Sequence, residues 1–430
     1  MVQVIKKSID FIERNLKEKL TIEAVANHVG YSPTHFQKIF NETTGITVSA
    51  FITKRKVDAA ATQIYKGRRA IDAAFEYGFD TYAGFYKAFL RVYDRTPKYK
   101  FREEMPMQQE LDLRKILRNW DVPDDIPIIN VSVLDEERIA QNVWAVGEEY
   151  FLKTDGGNIY QESGSSLLTN LAITKKLSSA GVSVAAPILT KNGANYYEEG
   201  DQIYTLTRAI KGAPLSDMER FGDSRLNFAK IYGENLAKLH QNLIKIQDEI
   251  PTKDAGQYQA AVEWAIPLIK KINLQWNMGL DEDFFNDYTM TFGQLENELP
   301  RQLIHRDPNP ENILFYQGDF SGFIDFDLSE ANWRLWDVCY CATGLLVSWD
   351  NIDNIKAIWP EILGAILQSY DRVNPLTASE KKAIYYVICT IQMICVAWFD
   401  GYPELQMIAK TNREMLKYII QNADLIKGLI

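Results

Sequence analysis

A twenty-residue pattern occurs twice in the first ninety residues, and it narrows the fold of that region more than any other feature. TIEAVANHVGYSPTHFQKIF, from Thr21 to Phe40, reads as a short helix, a turn at Gly30 and a second helix with Ser32 at the N-cap and Pro33 at the first helical position. AIDAAFEYGFDTYAGFYKAF, from Ala70 to Phe89, repeats the isoleucine, the small-residue helix, a glycine turn at Gly78 and the F-x-K-x-F ending, with one extra residue before Phe85. Each copy outlines a helix-turn-helix, and duplication at matched spacing carries more weight than either copy alone. Between them VSAFITKRKVDAAATQIY keeps an uninterrupted helical pattern, long enough to hold two such units about one DNA turn apart.

Ahead of the repeat, Val2, Ile5, Ile9, Ile12 and Leu16 step by three and four, the apolar stripe of a packing helix. Charge separates this region from the rest. Residues 1–106 hold 18 Lys and Arg against 12 Asp and Glu, and the remainder 29 against 45, so the net charge of -10 divides into +6 and -16. Counterion release favours cations only where they face phosphates, so a basic head on an acidic body fits a nucleic-acid-binding head. A chance surface imbalance is the plain alternative.

With the connector TTGITVSAFITKRKVDAA, the GF before the second reading helix and the closing RTPKYKFRE, residues 1–106 resemble the DNA-binding domain of the AraC/XylS family of transcription regulators. Asp94 stands where that family usually has glycine. The resemblance implies a double-stranded DNA operator and a second helix of each unit in a major groove. Its exposed candidates are Thr34, His35, Gln37 and Lys38 on the first, and Tyr82, Ala83, Gly84, Tyr86 and Lys87 on the second. The second set suits either thymine methyls or the backbone, and for His35 and Gln37 an ordinary solvated face is the competing reading. Lys54, Arg55, Arg68 and Arg69 are candidate phosphate contacts, which position without reading sequence. Phe36, Phe40, Phe85 and Phe89 are expected in the core.

The remaining chain, within a total of 430 residues that is 46% hydrophobic and 24% charged, has the composition of folded domains. No apolar run approaches the roughly 18 to 20 residues of a membrane helix, which leads to the expectation of a cytoplasmic protein with no membrane partner. Cys339, Cys341, Cys389 and Cys395 form no CxxC pair, so reduced core thiols are expected. Residues 103–127 turn from basic to acidic and contain Pro106, Pro123 and Pro127; Leu113, Ile116, Leu117 and Trp120 at helical spacing make residues 107–127 a docked linker helix.

From Ile128 the pattern changes to strands, IINVSVL, NVWAVG, YFLKT and QIYTLTRAI, with SSLLTNLAITKKLSSAG a helix among them. Past residue 215 nearly everything reads helical except a hairpin-like ENILFYQGDFSGFIDFD. A strand-rich lobe at 128–214 followed by a helical lobe at 215–430 outlines an α+β protein-kinase-like fold, so the chain is expected to be multidomain, with an all-α tandem helix-turn-helix domain first.

Phosphoryl transfer needs a carboxylate to accept a hydroxyl proton, an oxygen ligand for Mg²⁺ a few residues on, and a second metal carboxylate from an adjacent strand. His305, Asp307 and Asn312 give H-x-D-x-x-x-x-N, and Asp325 follows at the end of an apolar strand. The stretch resembles the aminoglycoside phosphotransferase and choline kinase group over residues 128–425. That resemblance implies ATP or GTP with Mg²⁺. Asp307 would be the catalytic base, His305 a brace for its loop, and Asn312 and Asp325 the metal ligands. Lys153 would pair with nucleotide phosphates, and YTLTRAIKGAPL would receive adenine near Leu206 and Arg208. His240 matches a scaffold helix, and Arg334 and Asp337 a structural pair beneath the metal loop. Asp327 is either a third metal carboxylate or a solvated turn.

Three departures stand out. Asn170 occupies the helix position where the group generally has a glutamate for the strand lysine. The loop LDEERIAQN has no glycine to cradle phosphates, although Asn142 keeps a family-like place. Arg306 enters the catalytic loop. The acidic surplus favours a cationic small molecule, for which Asp400 and Trp398, with Trp264, Trp276, Phe399 and Tyr402, are candidate wall residues; core packing is the alternative for each. The functions these features imply are a transcription regulator whose kinase-like domain binds and can phosphorylate a small molecule, a small-molecule kinase that tunes its own transcription, or an inert pseudokinase scaffold. Monomer and homodimer are both compatible with two reading units in one chain.

Overall fold

The computed structural model describes the chain apart from residues 1, 19, 45, 66–69, 80–81, 94–106, 131–142, 155–166, 201, 253–255, 347–351, 403–404 and 430. It divides into two compact units, Met1–Gln109 and Glu110–Ile430. The division falls three residues beyond the expected end of the head, and the expected linker is a structural part of the second unit.

In the first unit, helix α1 (Val2–Arg14) buries Ile5 and Ile12, continued by Leu16, as its stripe requires. Helix α2 (Ile22–His28) starts where the Thr21 hydroxyl accepts the Ala24 N–H at 3.2 Å. The chain then turns through Gly30 into α3 (Pro33–Thr44), runs along the 18-residue α4 (Val48–Tyr65), and repeats the motif with α5 (Ala70–Glu76), Gly78 and α6 (Tyr82–Tyr93). At Gly78 (φ +70°) the backbone is left-handed and an added Cβ would lie 2.8 Å from the Lys56 ammonium, so only glycine closes this turn without displacement. By its helical rise α4 is about 27 Å long.

The duplication reappears in the packing. Phe36 and Phe40 meet edge-on at 5.6 Å, Phe85 and Phe89 at 5.5 Å, and all four are fully buried, as the spacing predicts. Such pairs contribute about 0.5–1.5 kcal/mol each beyond the area they bury.

The second unit begins within α7 (Met107–Leu117), whose Leu113, Ile116 and Leu117 are buried together with Trp120 just beyond it. The Trp120 indole donates to the Ile188 carbonyl at 2.9 Å and packs on Tyr197. Strands β1 (Ile128–Asn130), β2 (Val143–Val146), β3 (Tyr150–Thr154), β4 (Tyr197–Glu199) and β5 (Gln202–Arg208) form one antiparallel sheet in the order β1-β2-β3-β5-β4. Its register sets Lys153 opposite Val143 on one side and Thr205 on the other. Helix α8 (Leu167–Ser179) is the helix expected between β3 and the later strands.

Beyond β5 the chain turns at Gly212 (φ +111°), where an added Cβ would sit 2.1 Å from the Phe315 carbonyl oxygen. This close approach lets Ala213 and Phe315 exchange two backbone hydrogen bonds of 3.0 and 2.8 Å. The helical part that follows has its core among α9 (Arg225–Ile246), and later α10 (Leu335–Leu346), α11 (Ile352–Val373), α12 (Ala378–Asp400) and α13 (Gln406–Gln421). Two strand pairs interrupt it: β6 (Arg301–Ile304) with β9 (Glu330–Trp333), and β7 (Ile313–Tyr316) with β8 (Asp319–Phe323). The first of these pairs was not anticipated, because its strands are four residues long and 26 residues apart, too short to show a period.

Helix α12 corrects one expectation. By length and composition it is long and apolar enough to cross a membrane, although 72% of its apolar window is buried inside the unit. Its apolar residues on successive faces fill a core, and a capping box between Thr377 and Glu380 fixes its start. Cys339, Cys341 and Cys389 are buried free thiols, and Cys395 is a half-buried one.

Candidate functional site

Strand β6 delivers the chain to His305, and the first turn of α10 presents Asp337 to receive it. The Asp337 carboxylate accepts the His305 N–H at 2.8 Å on one oxygen and the Arg306 N–H at 2.9 Å on the other. His240 braces it from α9, with Nε2 2.9 Å from Asp337 and Nδ1 2.7 Å from the Tyr370 hydroxyl. Both His240 and Asp337 are wholly buried, so His240 is the packing residue expected. Arg334 does not join Asp337: it forms a bidentate pair with Glu380 at 2.7 and 2.8 Å and reaches Asn374. The expected Arg334–Asp337 pair is therefore two separate anchors.

Held this way, Arg306 takes a left-handed backbone (φ +75°), uncommon for a residue with a Cβ. Its guanidinium pairs with Glu330 at 2.6 Å and lies 4.0 Å from the centre of the Trp336 ring. Burial pushes the Glu330 carboxyl above its ordinary range, against the opposing pull of Arg306. His305 points its Nε2 at the Ile324 carbonyl, 3.0 Å away, and packs its ring on Phe326, which is the geometry of a brace.

The Asp307 carboxylate accepts from the Asn309 side chain at 2.8 Å and the Asn312 side chain at 3.2 Å, while the same Asn312 amide donates to the Asp307 carbonyl at 2.8 Å. With its nitrogen held, Asn312 keeps its amide oxygen as a hard ligand. Burial raises the Asp307 pKa above the ordinary carboxylate value despite the Asn309 hydrogen bond, and the nearby Asp325 charge adds to the rise. Burial pushes the Tyr340 hydroxyl well above its ordinary range, and the Asp307 charge adds to the rise.

Asp325 lies beyond the strand, contrary to its expected place at a strand end. Strand β8 finishes at Phe323, and Asp325 sits in a left-handed turn (φ +67°) with its side chain 47% exposed. The Ile324 N–H binds the Asn312 carbonyl at 3.0 Å, which couples this turn to the loop that carries Asp307. Lys153 reaches across from β3: its ammonium contacts Asp327 and lies 3.4 Å from Asp325. Burial would lower the Lys153 pKa, yet the Asp327 and Asp325 carboxylates outweigh it and hold the ammonium above its ordinary value. Asn170 donates to the other oxygen of Asp327.

Among the described residues no group of three or more His, Cys, Asp or Glu side chains converges as a metal cage. Mg²⁺ seldom needs one, because it takes one or two carboxylates and draws the rest from phosphates and water. Asp325, exposed, and Asn312, with its oxygen available, fit that pattern.

Other expected site residues fall elsewhere. Leu206 is fully buried in the sheet core and its carbonyl accepts the Ile188 N–H at 2.7 Å, so it is a packing residue. Arg208 is exposed at the end of β5, opposite Tyr150. Asn142 and its glycine-free loop lie outside the described residues, as do Asp94, Arg68 and Arg69. Asp400 is not a free anion: it is paired with the buried Arg413, whose guanidinium stacks 4.2 Å from the centre of the Trp276 ring. Trp398 is half-buried against Phe399 and Tyr402, whereas Trp264 and Trp276 are exposed. Glu330, Asn309 and Tyr340 escaped the sequence reading. Asn309 was findable, because N-P-E marks it as the cap of a helical turn; Glu330 has its partner 24 residues away.

In the first unit, Thr34, His35, Gln37 and Lys38 are exposed on α3, and Lys87 on α6. Tyr86 is half-buried, and Tyr82 packs against the core, its hydroxyl pushed up to about 12 by burial and then by Tyr86. Arg55 does not present a free cation: Glu13 takes it bidentately at 2.5 and 3.0 Å, and Asp58 adds a third contact at 3.2 Å. Lys54 likewise pairs with Asp58 at 2.9 Å.

Comparison with known proteins matches both halves. Residues 25–103 fit the family described as helix-turn-helix domain, and residues 131–378 the phosphotransferase enzyme family. A Proteus vulgaris protein named Probable transcription factor PqrA is 34% identical over 107 residues, 24% of this chain and 87% of that one. A homoserine kinase of Gluconobacter oxydans is 37% identical over 87 residues, 20% of this chain but only 26% of its own length. The solved structure of amicoumacin kinase hAmiN in complex with AMP-PNP and Ca²⁺ superposes with a TM-score of 0.51 over 74% of this chain and 94% of that one, at 15% identity, a likeness of fold. The chain thus belongs to the phosphotransferase enzyme family, with a helix-turn-helix domain of the AraC type joined ahead of its kinase-like body.

Proposed function

We propose that the protein is a sequence-specific transcription regulator whose kinase-like body binds a nucleotide with Mg²⁺ and a small hydroxyl-bearing molecule. The observation that carries the body's role is the meeting of two independently built groups. Asp307 and Asn312 stand on one loop, while Asp325 and Lys153 come together from a turn and a separate strand. Gathering carboxylates and a lysine in this way costs desolvation energy, which favours a functional role for them over a purely structural one. The DNA-binding part rests on the duplicated motif with exposed His35 and Gln37.

Phosphoryl transfer to the bound molecule is a second reading, favoured by the way Asp307 is held. Its two oxygens are oriented by Asn309 and Asn312, and its raised pKa suits acceptance of a hydroxyl proton. Asn312 and Asp325 would hold the metal, and Lys153 would meet the phosphates. A bound Mg²⁺ supplies charge neutralisation at the transferring phosphoryl group.

The test is a melting curve of the full chain with Mg²⁺ and ATP or GTP. A ligand that binds the folded state raises the midpoint. A midpoint unmoved by either nucleotide removes the nucleotide-binding reading. Turnover against a panel of amino alcohols, choline and aminoglycosides, abolished in Asp307→Ala, separates catalysis from sensing.

A further inference from the structure

The position on α8 from which a carboxylate would reach the strand lysine holds Asn170, which has no charge to offer. Lys153 is nonetheless paired, and its partner comes from elsewhere. Asp327, two residues past Asp325, gives one carboxylate oxygen to the Lys153 ammonium and the other to the Asn170 side-chain amide. The three side chains therefore run from strand to loop to helix in one hydrogen-bonded line.

The two neighbouring carboxylates are unlike. Asp327 has a side chain only 17% exposed, with a donor on each oxygen. Asp325 is 47% exposed, and among the described residues its side-chain hydrogen-bonding contact is the longer one of 3.4 Å to Lys153. A carboxylate with both oxygens directed at protein donors is poorly placed to ligate a cation as well, whereas Asp325 retains that capacity.

We propose that Asp327 is a positioning residue, the counter-charge that orients Lys153, and that Asn170 acts as its bracket. The negative charge that the helix lacks is carried by the loop, and the function of Asp327 is not that of a third metal ligand. This rests on the nucleotide-binding reading of the cleft only for its functional consequence; the pairing itself is a property of the unliganded chain.

The experiment therefore has two arms on the full-length protein. In the first, melting midpoints are measured without nucleotide for Lys153→Met, Asp327→Asn, their double variant, and Asp327→Asn combined with Asn170→Glu. Coupling predicts that the Lys153→Met, Asp327→Asn double variant melts no lower than the worse single variant. It also predicts that Asn170→Glu restores at least half the midpoint lost in Asp327→Asn, because a helix carboxylate again faces the lysine. Additive losses, or no restoration by Asn170→Glu, overturn the proposal.

In the second arm, binding of ATP is titrated with saturating Mg²⁺ and again with EDTA. Loss of the lysine's orientation is expected to weaken ATP about tenfold or more in Asp327→Asn under both conditions, with recovery in the Asn170→Glu combination. A loss seen only in the Mg²⁺ series makes Asp327 a metal ligand and overturns the proposal. If the unaltered protein binds no ATP or GTP at all, the cleft's nucleotide reading fails, while the first arm still decides the pairing.

Discussion

Asp337 and His240 lie 2.9 Å apart with neither exposed to solvent, and the same Asp337 oxygen accepts the His305 N–H. One buried carboxylate thus holds helix α9 and the start of the loop that carries Asp307 together. Removing it in Asp337→Ala leaves two backbone donors and an imidazole without their acceptor. The expected cost is about 3–5 kcal/mol of folding stability. Asp337→Asn should also destabilise, since its NH₂ must face one of those N–H groups. Urea unfolding followed by tryptophan fluorescence measures both.

Asp307 should show its burial in a pH series. Its pKa is raised in the folded chain, so between the unfolded and folded values the folded state holds the extra proton. Stability from this source is present at low pH and is lost as pH rises through the folded value. The gap by which the unaltered protein out-melts Asp307→Ala is therefore expected to narrow as pH rises from the ordinary carboxylate range towards neutral. Any phosphoryl-transfer activity should have its acid limb above the ordinary Asp range, because the protonated acid cannot accept a hydroxyl proton.

Gly212→Ala combines a positive φ with a carbonyl oxygen 2.1 Å from the new Cβ. The two hydrogen bonds between Ala213 and Phe315 must stretch to make room. A loss of about 2 kcal/mol or more is expected, read as a lowered unfolding midpoint; Gly318→Ala, which shares a positive φ (+86°) but whose added Cβ meets nothing within 4 Å, separates the clash from the backbone strain.

The first unit offers a contrast between reading and positioning. Gln37→Ala is expected to reduce the preference for the operator over other DNA by about 1–3 kcal/mol. Arg55→Ala should leave the slope of log affinity against log salt unchanged, since Glu13 already takes that guanidinium. A residue contacting phosphate changes the slope by about 1. Fluorescence anisotropy at several salt concentrations distinguishes the two.

Much of this architecture was legible in the residues. The stripe of Ile5, Ile12 and Leu16, the paired phenylalanines of the repeat and the H-x-D-x-x-x-x-N spacing are local patterns, and each maps onto one element or one loop. What escaped depends on contacts far apart in the chain. Arg55 reads as a basic contact until Glu13, 42 residues earlier, is seen beside it. Asp400 reads as an anion awaiting a cation until Arg413 fills that role from the next helix. Leu206 and its neighbour Thr205 are both buried, because a strand set between β3 and β4 buries what a single segment cannot reveal. Asp327 was left between metal ligand and turn because Lys153 stands 174 residues away.

Trp120 bears on how the two halves can be separated. It belongs to the body, hydrogen-bonded to Ile188 and packed on Tyr197, although it precedes the first strand by eight residues. A fragment beginning at Ile128 would leave an indole-sized hollow and an orphaned carbonyl on the sheet, and should aggregate or melt early. One beginning at Glu110 keeps its own lid and is the fragment to prepare when ligand binding is studied apart from DNA.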